Sequence, residues 1–170
     1  MKKRQARLIE NMKRYVGLST GNIEQFAEIK SMFDKIYGRN QKEPFCVGLV
    51  QHCVREVDKE FGGSTVLFAT ESSQILWMKT PKVARLTKPE PGCLAVWQRY
   101  QNGLPLSQGH IGVVTKVLNG GDLIETVEGH VPDNLDSINW AGERVSIKQR
   151  PAWLTIGPLR TTGFLMAWPY

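Results

Sequence analysis

The chain reads as an α+β fold, and three observations say so. Apolar residues recur at helical spacing through the first sixty positions. After Pro91-Gly92 the texture changes to short runs rich in β-branched and aromatic residues. Those runs are joined by Gly-containing turn signals, so they fold back as antiparallel strands. Helices first and strands after them predict N-terminal helices packed on a C-terminal antiparallel β-sheet. At 170 residues, 41% hydrophobic and 22% charged, the chain is long enough for one domain over 1–170 with a real core.

The first helix is expected over residues 4–16, with Leu8, Ile9, Met12, Tyr15 and Val16 on one face. Gly17 to Gly21 break it. Asn22 can cap a second helix, with Gln25 reaching back. Its buried face would be Phe26, Ile29, Phe33, Ile36 and Tyr37, and Gly38 ends it. These two helices make up the N-terminal part, 1–42. Pro44 then opens a third helix within 43–62, which carries Phe45, Leu49, Val50, Cys53, Val54 and Val57 on one face and closes at Gly62-Gly63.

Residues 64–90 are less legible. Val66 to Ala69 suits either a short helix or a strand. Lys79, Lys82, Arg85 and Lys88 recur every three residues beside Trp77 and Met78, as the basic wall of a groove or, twice as often for such spacing, as a solvated face. The sheet, over 91–167, is expected from Leu94–Trp97, Ile111–Val117, Leu123–Val127, Arg144–Lys148 and Gly163–Met166, with Asn119-Gly120-Gly121 as a hairpin turn.

Composition excludes several classes. No apolar run approaches a membrane span, so stable membrane insertion is not expected. The basic N-terminus lacks the apolar core of a Sec-type signal. Three scattered Cys do not make a disulfide framework, and no Cys/His spacing or acidic loop suggests a metal; no cofactor is expected. A net charge of +6 favours polyanionic surroundings, but the basic residues are spread out and match no nucleic-acid motif, so nucleic acid is not the expected partner.

The chemistry-bearing residues are Cys46 and the histidines. Cys46 falls at or near a helix N-terminus, where unpaired N–H groups and the dipole favour a thiolate. A Cys nucleophile needs an imidazole, and the imidazole needs a polar partner that fixes it. His52, six residues on along the polar side of the same helix, points away from Cys46 and reads as surface. His110, between Gly109 and Ile111, stands at the start of a strand, exposed and approachable. His130 follows Glu128-Gly129 at the far end of the next strand. The hairpin brings His110, Glu128 and His130 together.

Register decides whether they touch. Side chains alternate faces along a strand. A two-residue turn at Asn119-Gly120 pairs His110 with Gly129 and turns Glu128 away. A three-residue loop pairs Leu118 with Asp122, His110 with His130 and Gly112 with Glu128, which puts all three on one face. The three-residue register, or a β-bulge that restores it, is therefore expected.

The blocks Pro44 to Val50, Pro91 to Trp97, Gly109 to Val114 and Thr126 to His130 resemble, in order, those of CHAP domains, the cysteine, histidine-dependent amidohydrolases/peptidases with a papain-like fold. Gly163-Phe164-Leu165 resembles the last strand of some members. The resemblance implies that Cys46 is the nucleophile, His110 the general base and Glu128 the orienting acid. Phe45 stands where Trp is often found, Cys93 where an Asp commonly follows the Pro-Gly turn, and His130 where Asn often stands; His130 either accepts the His110 N–H or lines the site. The Cys46 backbone N–H would hold the oxyanion, with Asn40 or Gln41 as the second donor. The family implies cleavage of an amide or peptide bond of bacterial peptidoglycan, in the periplasm or cell wall, by a lysin, a wall-remodelling enzyme or a delivered toxin, the last with an immunity or delivery protein as partner. A cysteine peptidase for protein or isopeptide substrates on the same fold is the alternative.

One outcome follows for the thiols. Cys53 and Cys93 lie in apolar runs, and Cys53 is two helical turns from Cys46, about 10 Å along the axis. Iodoacetamide at neutral pH followed by peptide mass mapping should label Cys46 fastest; preferential labelling of Cys93 would overturn this assignment.

Overall fold

A computed structural model of the chain describes residues 2–19, 27, 30–32, 34–35, 45–131 and 144–170. Helix α1 spans Lys2–Arg14, α2 spans Cys46–Phe61 and α3 spans Ser73–Lys79. The strands are β1 (Arg85–Leu86), β2 (Leu94–Gln101), β3 (Leu104–Leu118), β4 (Leu123–Val131), β5 (Arg144–Pro151) and β6 (Leu159–Leu165). They form one sheet in the order β1-β6-β2-β3-β4-β5, with every neighbouring pair antiparallel. The expected α+β architecture is what the chain adopts.

Helix α1 runs from residue 2, two earlier than expected, and ends before Tyr15. Leu8 and Met12 are fully buried, joined by the polar Gln5 and Asn11. Val16, expected on the buried face, is exposed because the helix has already tightened into a turn, with Tyr15 and Val16 N–H groups bonding back three residues. The expected cap and buried face of the second helix, Asn22, Gln25, Phe26, Ile29, Phe33, Ile36, Tyr37 and Gly38, lie outside the described residues. Residues 27, 30–32, 34 and 35 are helical, and Met32 is buried.

Helix α2 begins at Cys46, with Phe45 as its N-cap and no side chain capping it. Gly62, at φ 61°, ends it as expected. The sequence suggested one buried face, yet the first six residues, Cys46 to Gln51, are all buried. The helix enters between α1 and the sheet, so its first turns are enclosed all round. Gln51 uses that position to donate to the carbonyls of Phe68 (3.1 Å) and Thr70 (2.9 Å). These bonds, and Phe68 N–H to Thr80 Oγ1 at 3.2 Å, hold the backbone around Phe68 and Thr70 by side chains, and the 66–70 segment is neither helix nor strand.

The sheet buries apolar side chains on both faces. Leu94, Val96, Ile111, Val113, Val127, Val145 and Leu165 meet the helices. Cys93, Ala95, Trp97, Val114, Ile124, Leu159 and Phe164 form a second cluster on the opposite face. That two-sided burial follows from strict alternation along β2 to β4. The strands run longer than expected. Gln101 pairs with Leu104 across Asn102-Gly103, both at positive φ, which closes β2 and β3 in a two-residue turn.

The β3–β4 hairpin departs from the expected loop and reaches the expected register at Gly112 and Glu128. The ladder ends there: the expected His110–His130 pair is not part of it, and His130, at φ 63°, turns to Phe45 instead. Leu118 pairs with Leu123, so the loop has four residues, not three. A β-bulge at Thr115 shifts the ladder by one, and from Val114 onward the pairing becomes Val114 with Thr126 and Gly112 with Glu128. Thr115 anchors the bulge through its hydroxyl, which donates to Glu125 Oε1 at 2.7 Å. No described helix is long and apolar enough to cross a membrane.

Close approach of α2 to β4 depends on Gly129. A Cβ there would sit 2.8 Å from Phe45 Cε2 and 3.1 Å from Leu49 Cδ2, both in the enclosed core. Overpacking of this kind costs roughly 1–3 kcal/mol. Gly129→Ala should therefore lower the thermal midpoint by about 2–4 °C for each kcal/mol lost; an unchanged melting curve would show that the helix sits more loosely on the sheet than this contact requires.

Candidate active site

Three elements converge on one point. The start of α2 supplies Cys46, β3 supplies His110 and β4 supplies Glu128. Cys46 is 3% exposed, yet it lines a cleft of about 680 Å³ with Ser73, Gln74, Trp77, Gln98 and Gly109. A larger hollow of about 850 Å³ lies away from it, between α1 and α2, lined by charged side chains such as Arg14, Arg55 and Glu60.

His110 is not the exposed strand-end residue the sequence suggested. It lies inside β3, paired with Trp97, and is 1% exposed. Six residues of the strand, 104–109, precede it because of the Asn102-Gly103 turn, and the Trp97 indole stacks on its ring (centroids 5.6 Å apart, planes 23° apart). His110 Nε2 lies 2.7 Å from Glu128 Oε2. Cys46 lies close enough to the ring for its side chain to help raise the imidazole pKa. With Nε2 turned to Glu128, Nδ1 is the nitrogen left to face Cys46.

The carboxylate is fully buried and fully used. Glu128 Oε1 accepts from Arg150 Nε (2.7 Å) and Thr126 Oγ1 (2.5 Å), and Oε2 from Arg150 Nη2 (2.7 Å) besides His110. Gly112, opposite Glu128, makes room: a Cβ at 112 would come within 2.6 Å of Glu128 Cγ. Arg150 was not singled out by the sequence, where Arg144–Lys148 read only as an alternating strand. Its place on β5, opposite Ile124 and on the Glu128 side, depends on the pairing of β4 with β5, and no local signal marks it.

The charges respond to this packing. Burial pushes the Glu128 carboxyl up, but Arg150 and then His110 pull it further the other way, to well below the usual carboxylate range. Burial pushes the His110 imidazole down; hydrogen bonds and charge from Cys46 and Glu128 outweigh it and raise its pKa to about 9. Burial pushes the Cys93 thiol up to about 12 and the Cys53 thiol up as well, so both stay as thiols near neutral pH.

The remaining candidates fall outside this network. His52 is half-buried, not on the surface, and its Nε2 pairs with the Tyr15 hydroxyl at 3.0 Å on the far side of α2. His130 packs edge-on against Phe45 (centroids 5.5 Å). The His110 N–H that the sequence left between two acceptors goes to Glu128. His130 has φ 63°, in the left-handed region where Asn and His are the better-tolerated side chains; this backbone requirement accounts for His standing where Asn is often found. Asn40 and Gln41 lie outside the described residues. Lys79, Lys82 and Lys88 are exposed, and Arg85 lies over Trp77 (4.6 Å to the ring centroid). None of these four lines the cleft, so the solvated-face reading of the basic run holds, while Trp77 and Met78 do line it. Among the described residues no group of three His, Cys, Asp or Glu side chains is placed to hold a metal ion.

A family model described as the CHAP domain matches residues 37–130, more than half of the chain. The chain belongs to the CHAP family. It is thereby a hydrolase of the cysteine, histidine-dependent amidohydrolase or peptidase type, a class generally directed at peptidoglycan. Neither the curated proteins nor the solved structures compared with it gave a match. Cys46, His110 and Glu128 all fall inside the matched span of the CHAP domain, and Arg150 falls beyond it.

The two shifted groups set a pH window for stability. Glu128, depressed on folding, stabilises the fold above the ordinary carboxylate range and loses that contribution in acid. His110, raised on folding, stabilises it fully below its ordinary value of about 6.5 and loses that contribution as pH rises through about 9. The His110 ring signals in an NMR titration should therefore change near pH 9, and thermal stability should decline beyond it; a ring titrating near 6.5 would mean that the Glu128 bond is not made.

Proposed function

We propose that this CHAP domain, taken as one catalytic unit over 1–170, cleaves an amide or peptide bond of bacterial peptidoglycan, with Cys46 as nucleophile, His110 as acid and base, and Glu128 as the group that orients the imidazole. The observation that carries the reading is Cys46 beside a His110 ring that is bonded to the buried Glu128, with the Cys46 end opening on a cleft.

The reaction follows from these groups. The Cys46 thiolate attacks the carbonyl carbon, and the resulting oxyanion is held by the N–H groups at the open N-terminus of α2, which no side chain caps. The tetrahedral adduct collapses as the His110 imidazolium gives its proton to the leaving amine, leaving an acyl-thioester on Cys46. His110, now neutral, takes a proton from water as that water attacks the thioester. The acid leaves, and the thiolate–imidazolium pair returns. Glu128 keeps Nδ1 aimed at sulfur throughout and stabilises the charged ring. The net charge of +6 suits an anionic wall, where the enzyme acts.

Zymography on purified peptidoglycan tests the assignment. Wild type should clear; Cys46→Ala and His110→Ala should be nearly inactive, the nucleophile being worth on the order of 10⁶ in kcat in a well-studied triad, and Glu128→Gln should retain part of the activity. No clearing, with thiol-dependent cleavage of a peptide library instead, would move the substrate to proteins. His130→Ala more damaging than Glu128→Ala would unseat Glu128.

A further inference from the structure

Four charged or ionisable groups line up inside the protein: Cys46, His110, Glu128 and Arg150. With the thiolate and imidazolium formed, their signs alternate, and the row sums to zero. The two inner members are 0–1% exposed and Arg150 is 7% exposed, so solvent does little to screen any of them. Where a Cys–His pair is oriented by a neutral amide, no counter-ion is needed. Here the orienting group carries a full charge one residue beyond the imidazole, and left alone it would repel the thiolate and over-stabilise the imidazolium.

We propose that Arg150 is a positioning residue of this site: its guanidinium, forked on both oxygens of Glu128 and lying over the Trp97 ring that stacks on His110, cancels the buried carboxylate's charge and so sets the pH range in which Cys46 and His110 exist as an ion pair. The fork is made by Nε and Nη2, each at 2.7 Å. The guanidinium carbon is 5.4 Å from the Trp97 centroid. An Arg supplies this geometry and a Lys does not, because two parallel N–H bonds to one carboxylate need a planar donor. The inference rests on the nucleophile and base assigned above, but not on the substrate.

The other groups facing Glu128 do not replace Arg150. Thr126, on β4 itself, and Ser146, its partner on β5, are neutral. Lys148, buried on the same face of β5, pairs in register with Thr126 and not with Glu128, whose four acceptor positions are taken by His110, Thr126 and Arg150. From α2 the facing group is Cys46, and from β3 it is His110.

Charge arithmetic gives the test. Removing Arg150 leaves the row with an extra negative charge, which raises both the pH at which the thiolate forms and the pH at which the imidazolium is lost, the second more because His110 is nearer. Removing the Glu128 charge lowers both. Removing the two together restores neutrality. In the whole protein, Cys46 alkylation rate against pH reads the first midpoint and His110 ring NMR the second, in wild type, Glu128→Gln, Arg150→Met and the double variant. The single variants should move the midpoints in opposite directions by roughly one to two pH units, the order of a charge several ångströms away at an effective dielectric of about 20, and the double should fall between Glu128→Gln and wild type, because the carboxylate is nearer the imidazole than the guanidinium is. The double variant has no carboxylate left to neutralise, so its comparison with Glu128→Gln decides the matter even where Arg150→Met alone does not fold. Midpoints that stay with Glu128→Gln when Arg150 is also removed, or single variants that shift the same way, would make Arg150 a purely structural tie. Neither readout uses a wall substrate, so a zymogram without clearing would sink the substrate and leave this inference standing.

Discussion

A carboxylate with no solvent exposure is tolerable only when every lone pair is used, and the architecture around Glu128 can be read as the means of using them. Three strands contribute: β3 brings His110, β4 brings Thr126 beside Glu128 itself, and β5 brings Arg150. Breaking a buried charge pair by removing one partner costs several kcal/mol, because the charge left behind has lost both water and its counter-ion. The same group thus ties the sheet's integrity to the candidate site. A polar cluster this dense specifies its own register, since a slip of one residue in either ladder would strand a charge in the core.

The register is reached by a correction inside the strand. The four-residue loop after Leu118 puts the ladder one residue out of step, and the bulge at Thr115 brings it back before Gly112 meets Glu128. Thr115 and Glu125 hold that bulge through a hydrogen bond of their own. A bulge of this kind re-aims every side chain beyond it, which is why it lies between the turn and the site. On the other side, Gly112 and Gly129 have no side chain because Glu128 and the Phe45–Leu49 turn of α2 occupy the space.

The helix end and the sheet are coupled by the same packing. Phe45, fully buried, lies against Gly129 and His130 and so ties the first turn of α2 to the strand that carries Glu128. Cys46 follows directly and lines the cleft. The cleft beyond it is walled by α3, whose Gln74 donates to the Trp97 carbonyl at 2.8 Å, so the substrate side of the site is fastened to the strand that backs the imidazole. Rigid elements on all sides are what a preorganised site requires.

Much of this was legible in the sequence. The helical period after Pro44, the β-branched runs after Gly92 and the glycine-marked turns fix the α+β class, since each depends on neighbours a few residues apart. Cys46 at a helix start and His110 and Glu128 on one hairpin follow from the same short-range patterns once the register is counted. The Asn102-Gly103 turn is legible by the same rule as Asn119-Gly120, and it is this turn that puts His110 within the strand and not at its end. What no local pattern holds is the order of the strands. The placing of β5 beside β4 brings Arg150 to Glu128, and the register shift between Gln98 and Tyr100 sets Trp97 opposite His110; both join residues more than ten positions apart. The exposure of His110 and the charge balance of the site were therefore decided by tertiary packing, because burial and counter-ions belong to the assembled sheet and not to any one strand.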